Sequence, residues 1–237
     1  MSAILLCRYM VCAIATALIV NTAPVYSKSS LVVKAEEALG KKQLEFALGY
    51  ANMAVSANPR DAAAFAIRGK INFAREKFSE ARSDFDKALA LDPYFAKNFA
   101  VNELYQDRAQ CYIEAKQLLL AERDLKAAIS IYPSSTRYKL LGEVYSRLNK
   151  LNLAVESFTK SIQIAPNDVM SYKERGETYS QMRSFSKAVA DFTKIIELHP
   201  NDSIGYKCRA KVYEQLGKTD LARKDHEKEQ ALYAKYE

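Results

Sequence analysis

Four arginines in this 237-residue chain, Arg68, Arg108, Arg175 and Arg209, are each followed at one fixed interval by an aspartate: Asp84, Asp124, Asp191 and Asp225. A guanidinium and a carboxylate recurring in step can form a two-pronged, charge-assisted bond. The spacing points to structural ion pairs rather than catalysis, because no nucleophile or base travels with them. Serines and acids are common, but no nucleophile, base and orienting residue group by spacing. Two histidines, His199 and His226, leave almost no material for a histidine base or a metal ligand. Seven glycines are too few for a glycine-cradled nucleotide site. Of the four cysteines, Cys7 and Cys12 lie near the N-terminus, and Cys111 and Cys208 stand far apart with no histidine partner in their own helices. Neither a disulfide framework nor a metal site follows. The expectation is a chain that is not an enzyme and carries no metal and no cofactor.

The elements that must hold the arginines and aspartates are set by a period. Prolines stand at Pro59, Pro93, Pro133, Pro166 and Pro200, at spacings of 34, 40, 33 and 34 residues. Proline ends helices, and a repeat of this length is the mark of a stacked-repeat architecture. Registered on the prolines, the chain divides into six units, 28–61, 62–95, 102–134, 135–168, 169–202 and 203–236, with a six-residue insertion at 96–101. Counting from the first residue of each unit, position 8 is small: Ala35, Gly69, Ala109, Gly142, Gly176 and Ala210. Position 20 is always alanine: Ala47, Ala81, Ala121, Ala154, Ala188 and Ala222. Position 4 is large and apolar, position 11 is tyrosine in the last four units (Tyr112, Tyr145, Tyr179, Tyr213), and position 24 is often large (Phe85, Leu125, Phe158, Phe192). Positions 4, 8 and 11 share one face of a first helix, and positions 20, 24 and 27 one face of a second. The small residues let the two backbones approach, and the aromatics fill the space around that contact. The arginines fall at position 7 and the aspartates at position 23. Unit 4 lacks both together (Leu141 and Ser157), and unit 1 has Lys34 and Tyr50. This joint gain and loss predicts an ion pair between the two helices of each hairpin. A single hairpin cannot bury its apolar face, so the units must stack into an all-α solenoid of helix-turn-helix hairpins.

This pattern resembles the tetratricopeptide repeat family. The clearest unit is Phe65-Ala66-Ile67-Arg68-Gly69 followed by Phe78, Ala81, Phe85, Ala88 and Leu91-Asp92-Pro93. The resemblance covers nearly everything beyond residue 27 and implies a right-handed superhelix whose concave groove is lined by positions 2, 5, 9 and 12 of the first helices. In that frame Lys139, Lys173 and Lys207 form a column at position 5, with Glu143, Glu177 and Lys211 at position 9. The family's chaperone-tail clamp uses asparagines where this chain has glutamates, which argues against that ligand. The lysine column can take an acidic peptide, or it can be a lattice that neutralises itself. The N-terminal half of the groove reads as apolar, with Val32, Leu39, Ala63, Ala66 and Phe73 around Lys70. Such a patch suits a peptide, unless the N-terminal segment or a second copy covers it. Cys111 is expected to be buried and Cys208 partly exposed.

Residues 1–27 differ in kind. Arg8 precedes the apolar run Val11–Val20, then Asn21-Thr22-Ala23-Pro24-Val25-Tyr26-Ser27. This is the layout of a secretory signal cleaved before Lys28, with a retained anchor over residues 9–26 as the alternative. The chain is therefore expected to be exported, periplasmic or secreted, with membrane contact only if the anchor stays. Net charge is +7, a mild excess that favours acidic partners without being a nucleic-acid footprint. The expected function is a scaffold or adaptor that binds a protein or peptide, an acidic segment among the candidates. The alternative is a basic scaffold contacting nucleic acid or an anionic lipid surface.

Overall fold

The computed structural model describes residues 28–92 and 101–234. These residues form twelve helices and no strand. In chain order they are α1 (Ser30–Gly40), α2 (Leu44–Ala57), α3 (Ala62–Ala74), α4 (Phe78–Leu91), α5 (Val101–Glu114), α6 (Leu118–Ile131), α7 (Ser135–Arg147), α8 (Leu151–Ile164), α9 (Val169–Gln181), α10 (Phe185–Leu198), α11 (Ser203–Gln215) and α12 (Thr219–Tyr233). They pack as consecutive hairpins, each against the next, which makes the chain an α-solenoid. The segment read as a secretory signal lies outside the described residues, and so does the insertion except for Val101, which opens α5. No helix among the described residues is long and apolar enough to cross a membrane.

Helix ends follow local chemistry. The first helices begin on polar caps: the side chains of Ser29, Asp61, Ser134 and Asp202 accept from Val32, Ala63, Arg137 and Ile204 backbone N–H groups. The second helices of the first five hairpins stop one residue short of a proline, where residues such as Asn58 and Tyr132 turn to extended backbone. Between the helices of every hairpin one residue takes the left-handed conformation: Lys42, Glu76, Lys116, Asn149, Arg183 and Gly217, with φ between 56° and 68°. The next residue then donates its N–H back five residues, as Lys77 does to Asn72, Lys150 to Tyr145 and Ser184 to Tyr179, each at 2.8 Å. This closes the Schellman bond that reverses the chain.

The core runs along the solenoid as a chain of small clusters rather than one centre. Ala47, Ala81, Ala121, Ala154 and Ala188 are wholly buried and Ala222 nearly so. Phe85, Phe158 and Phe192 are buried against Gly69, Gly142 and Gly176 of the facing helix. Adjacent hairpins share clusters: Tyr112, Ile113 and Leu125 pack with Leu141, Val144 and Phe158. This continuity is what lets short hairpins hold shape.

Candidate protein-binding surfaces

Position 7 of a first helix faces its own second helix, and four arginines use that direction. Arg68 meets Asp84 through Nε–Oδ2 at 3.0 Å and Nη2–Oδ1 at 2.7 Å. Arg108 meets Asp124 at 2.6 and 2.9 Å, Arg175 meets Asp191 at 2.9 and 2.7 Å, and Arg209 meets Asp225 at 2.9 and 2.8 Å. All four aspartates are buried. Burial pulls the Arg108 and Arg175 guanidinium groups down, but the bonds to Asp124 and Asp191 outweigh it and leave both above the ordinary arginine value.

Each arginine also has a second partner, which the Arg–Asp spacing does not predict. Its Nη1 donates to the second helix of the preceding hairpin: Arg68 to Asn52 at 3.3 Å, Arg108 to Asp86 at 2.8 Å, and Arg175 and Arg209 to Thr159 and Thr193 at 3.0 Å. These acceptors all occupy position 25. One guanidinium therefore ties three helices, two of its own hairpin and one of its neighbour. Aromatic rings flank it: Tyr105 and Tyr112 about Arg108, Tyr172 and Tyr179 about Arg175, Tyr206 and Tyr213 about Arg209, at 5.6 to 6.0 Å. Where Leu141 replaces the arginine, position 25 of the preceding hairpin is Lys126, a cation that could not accept from it. Lys126 pairs instead with Glu122 at 2.6 Å, Lys150 joins Glu122 at 2.9 Å, and both ammonium groups lie under 6 Å from the Tyr145 ring. Ser157 turns back to the Leu153 carbonyl.

The groove-side positions carry mostly paired charge. Lys70 bonds Glu103 at 2.7 Å across neighbouring repeats, Lys139 reaches Asp168 at 3.1 Å, and Lys173 meets Glu174 at 3.1 Å and Glu177 at 2.9 Å. Glu143 pairs along its helix with Arg147 at 2.5 Å, and Lys207 stands 4.0 Å from Glu229. Lys211 is exposed and makes no ion pair among the described residues. Burial lowers the Lys173 ammonium, and its two glutamate bonds more than reverse that. Asp168 accepts from Ser171 as well as Lys139, which holds its carboxyl below the usual value despite the opposing effect of burial. Phe73 is half-buried and meets Phe78 edge-on, with ring centroids 5.5 Å apart.

Two groove expectations need correction. Val32, 1% exposed, lies under Ala64, Ile67 and Ile71, because α1 and α3 approach closely over small side chains. Ala66, 7% exposed, packs with Phe65, Leu104 and Cys111. Neither lines an open surface. Cys208 is also buried, against Ile195 and Val212, rather than partly exposed. Two further ionisable groups, Asp107 and Arg137, lie beside these positions without a sequence signature. Burial pushes the Asp107 carboxyl up to about 6, with Lys70 and Arg137 opposing the rise and Glu103 adding to it. Arg137 is buried, donates to the Tyr132 carbonyl, and leaves its Nε without a partner.

Models of the tetratricopeptide repeat match residues 33–94, 138–168, 171–202 and 192–224, together more than half of the chain. The chain is a tetratricopeptide repeat protein. The pair α5–α6 lies outside the matched segments yet keeps the frame through Arg108, Ala109, Ala121 and Asp124. Among solved structures, the C-terminal part of a tetratricopeptide repeat protein from Cytophaga hutchinsonii superposes with a TM-score of 0.75 at 20% identity, over 86% of this chain and 79% of that one. MamA from Desulfovibrio magneticus RS-1 gives 0.66 at 21% identity, over 74% and 99%. YrrB, described as a tetratricopeptide repeat protein with an unusual peptide-binding site, gives 0.63 at 17% identity, over 77% and 91%. At these identities the likeness is one of fold. No curated protein matches the sequence.

Proposed function

We propose that this tetratricopeptide repeat protein is a non-enzymatic interaction scaffold that docks a peptide or protein segment in its concave groove. The observation that carries the reading is the row of first helices, which sets Lys70, Glu103, Lys139, Glu143, Lys173 and Glu177 side by side with Phe73 half-exposed at one end. Repeated first helices make one long surface from similar positions, which suits an extended ligand. Its ion pairs lie partly in solvent, so each is worth little and can be exchanged for a charge on the ligand. The peptide-binding site ascribed to YrrB supports this reading by likeness of fold. The alternation of lysine and glutamate weighs against nucleic acid or anionic lipid, which ask for a continuous basic face.

Export is part of the proposal, on the strength of Arg8, the apolar run and Ser27 before Lys28. Intact mass of the exported protein beginning at Lys28 is the expected result; Met1 retained in a soluble cytosolic product would sink it. The groove itself is tested by placing a photoreactive residue at Phe73 or Lys173 and crosslinking in the source cells. A specific adduct from either position is expected, and none from both would end the case for groove binding.

A further inference from the structure

The second repeat has an open cleft where the last four repeats hold a ring. Leu48 and Asn52 of α2, Arg68 and Asn72 of α3, and Ser79, Glu80, Ser83, Asp84 and Lys87 of α4 line an open cleft of about 450 Å³. By repeat register these are the positions that surround Tyr112, Tyr145, Tyr179 and Tyr213 in the later repeats. In those repeats position 11 is tyrosine; here it is Asn72, turned to donate to Asp84 at 3.1 Å. The small side chains of Ser79 and Ser83 leave the space of the missing ring open to solvent.

We propose that this cleft is a receptor for a phenolic side chain, a tyrosine presented by a protein partner. Arg68 is the anchor. Arg108, Arg175 and Arg209 each lie between two tyrosine rings, whereas Arg68 has one ring, Phe65 at 5.4 Å, and its guanidinium lines the cleft. An incoming ring restores the arrangement that the chain builds for itself elsewhere, and cation–π attraction favours it. Leu48 supplies an apolar wall. Asp84 and Glu80 repel a carboxylate or phosphate, Arg68 and Lys87 repel a cation, and a neutral phenol is compatible with all four. Its hydroxyl has acceptors within the lining, as the Tyr145 hydroxyl has Glu122 at 3.3 Å. Positions 4, 7 and 11 lie on the side of a first helix opposite positions 2, 5, 9 and 12, so this site does not rest on the groove reading.

The test is a titration of the full chain with 4-methylphenol, read by amide chemical shifts at Leu48, Asn72 and Ser83, with acetate and 4-methylcyclohexanol as comparators. Saturable shifts with a dissociation constant on the order of 10 mM suit a fragment of this size. Ser83→Trp fills the rim from an exposed position, and Asn72→Tyr supplies the ring from within. Each is expected to weaken the phenol at least tenfold, and Ser83→Trp alone decides if Asn72→Tyr does not fold. Absence of saturable shifts, equal shifts in Ser83→Trp, or acetate or the cyclohexanol matching the phenol would overturn the proposal. Any of these results leaves crosslinking from Phe73 and Lys173 unaffected.

Discussion

A Cβ added to Gly142 would stand 2.6 Å from Cε1 of Phe158. The same holds for Gly69 with Phe85 and Gly176 with Phe192. Where position 8 is alanine instead, position 24 is Ala51, Leu125 or His226, never phenylalanine. The two positions trade volume across the hairpin. Gly142→Ala gains about 1 kcal/mol of helix propensity but overpacks the ring at about 1–3 kcal/mol, so net destabilisation is expected. Phe158→Leu in the same chain should recover much of that loss. Denaturant unfolding of the two single variants and the double gives the coupling directly.

The three-helix arginine can be removed in two ways with different costs. Arg175→Leu leaves the buried Asp191 side chain without its partner, at about 3 kcal/mol. Arg175→Leu with Asp191→Ser copies the pair Leu141 and Ser157 that the fourth repeat already carries, and should cost clearly less. If the double variant is as unstable as the single one, burial of a stranded charge is not the source of the loss.

Five of the six hairpin turns put a side chain in the left-handed region. Only the last uses glycine, at Gly217. Arg183→Gly should raise stability by up to about 1 kcal/mol, since the turn conformation carries no Cβ strain in glycine. Asn149→Gly should gain less, because asparagine tolerates this region better. Thermal midpoints of the two variants decide it.

Asp107 makes stability depend on pH in the sense opposite to most carboxylates. Its folded value, about 6, lies above its ordinary 3.8, so the folded chain holds the proton more tightly. The contribution is fully present below pH 4 and is lost as pH rises through 6. Asp107→Asn should therefore stabilise the protein at pH 7, by about 1–2 kcal/mol after allowance for partial exposure, and by almost nothing near pH 4. A constant gain across that range would exclude the burial explanation.

Much of the fold was legible because proline and alanine act through sterics at fixed places. Pro59 to Pro200 mark where second helices must stop, and Ala47 to Ala222 mark where two backbones touch. The Arg–Asp positions were legible because both charges change together. The second acceptor was harder to read, because the bond needs only an oxygen: Asn52, Asp86, Thr159 and Thr193 are of three residue types. The insertion also breaks the interval before Arg108, so Asp86 falls out of step. Counting sixteen residues back from Arg68, Arg175 and Arg209, as well as forward, would have found three of the four. Val32 and Ala66 were misplaced because their helical angle points toward the groove, while their small size lets the adjoining helix close over them. The cleft at Arg68 has no signature of its own; it shows only as a tyrosine missing from a column.

The joint between α6 and α7 is the one place in the later repeats where a surface net of Glu122, Lys126 and Lys150 stands in for the arginine hub. Exposed charges are screened by added electrolyte far more than buried pairs are. At high ionic strength this seam should loosen before the others, while the apolar cluster of Leu125, Leu141 and Phe158 keeps the two halves of the solenoid together. Hydrogen exchange at the ends of α6 and α7 would then quicken with salt while the joints held by Arg175 and Arg209 kept their pace.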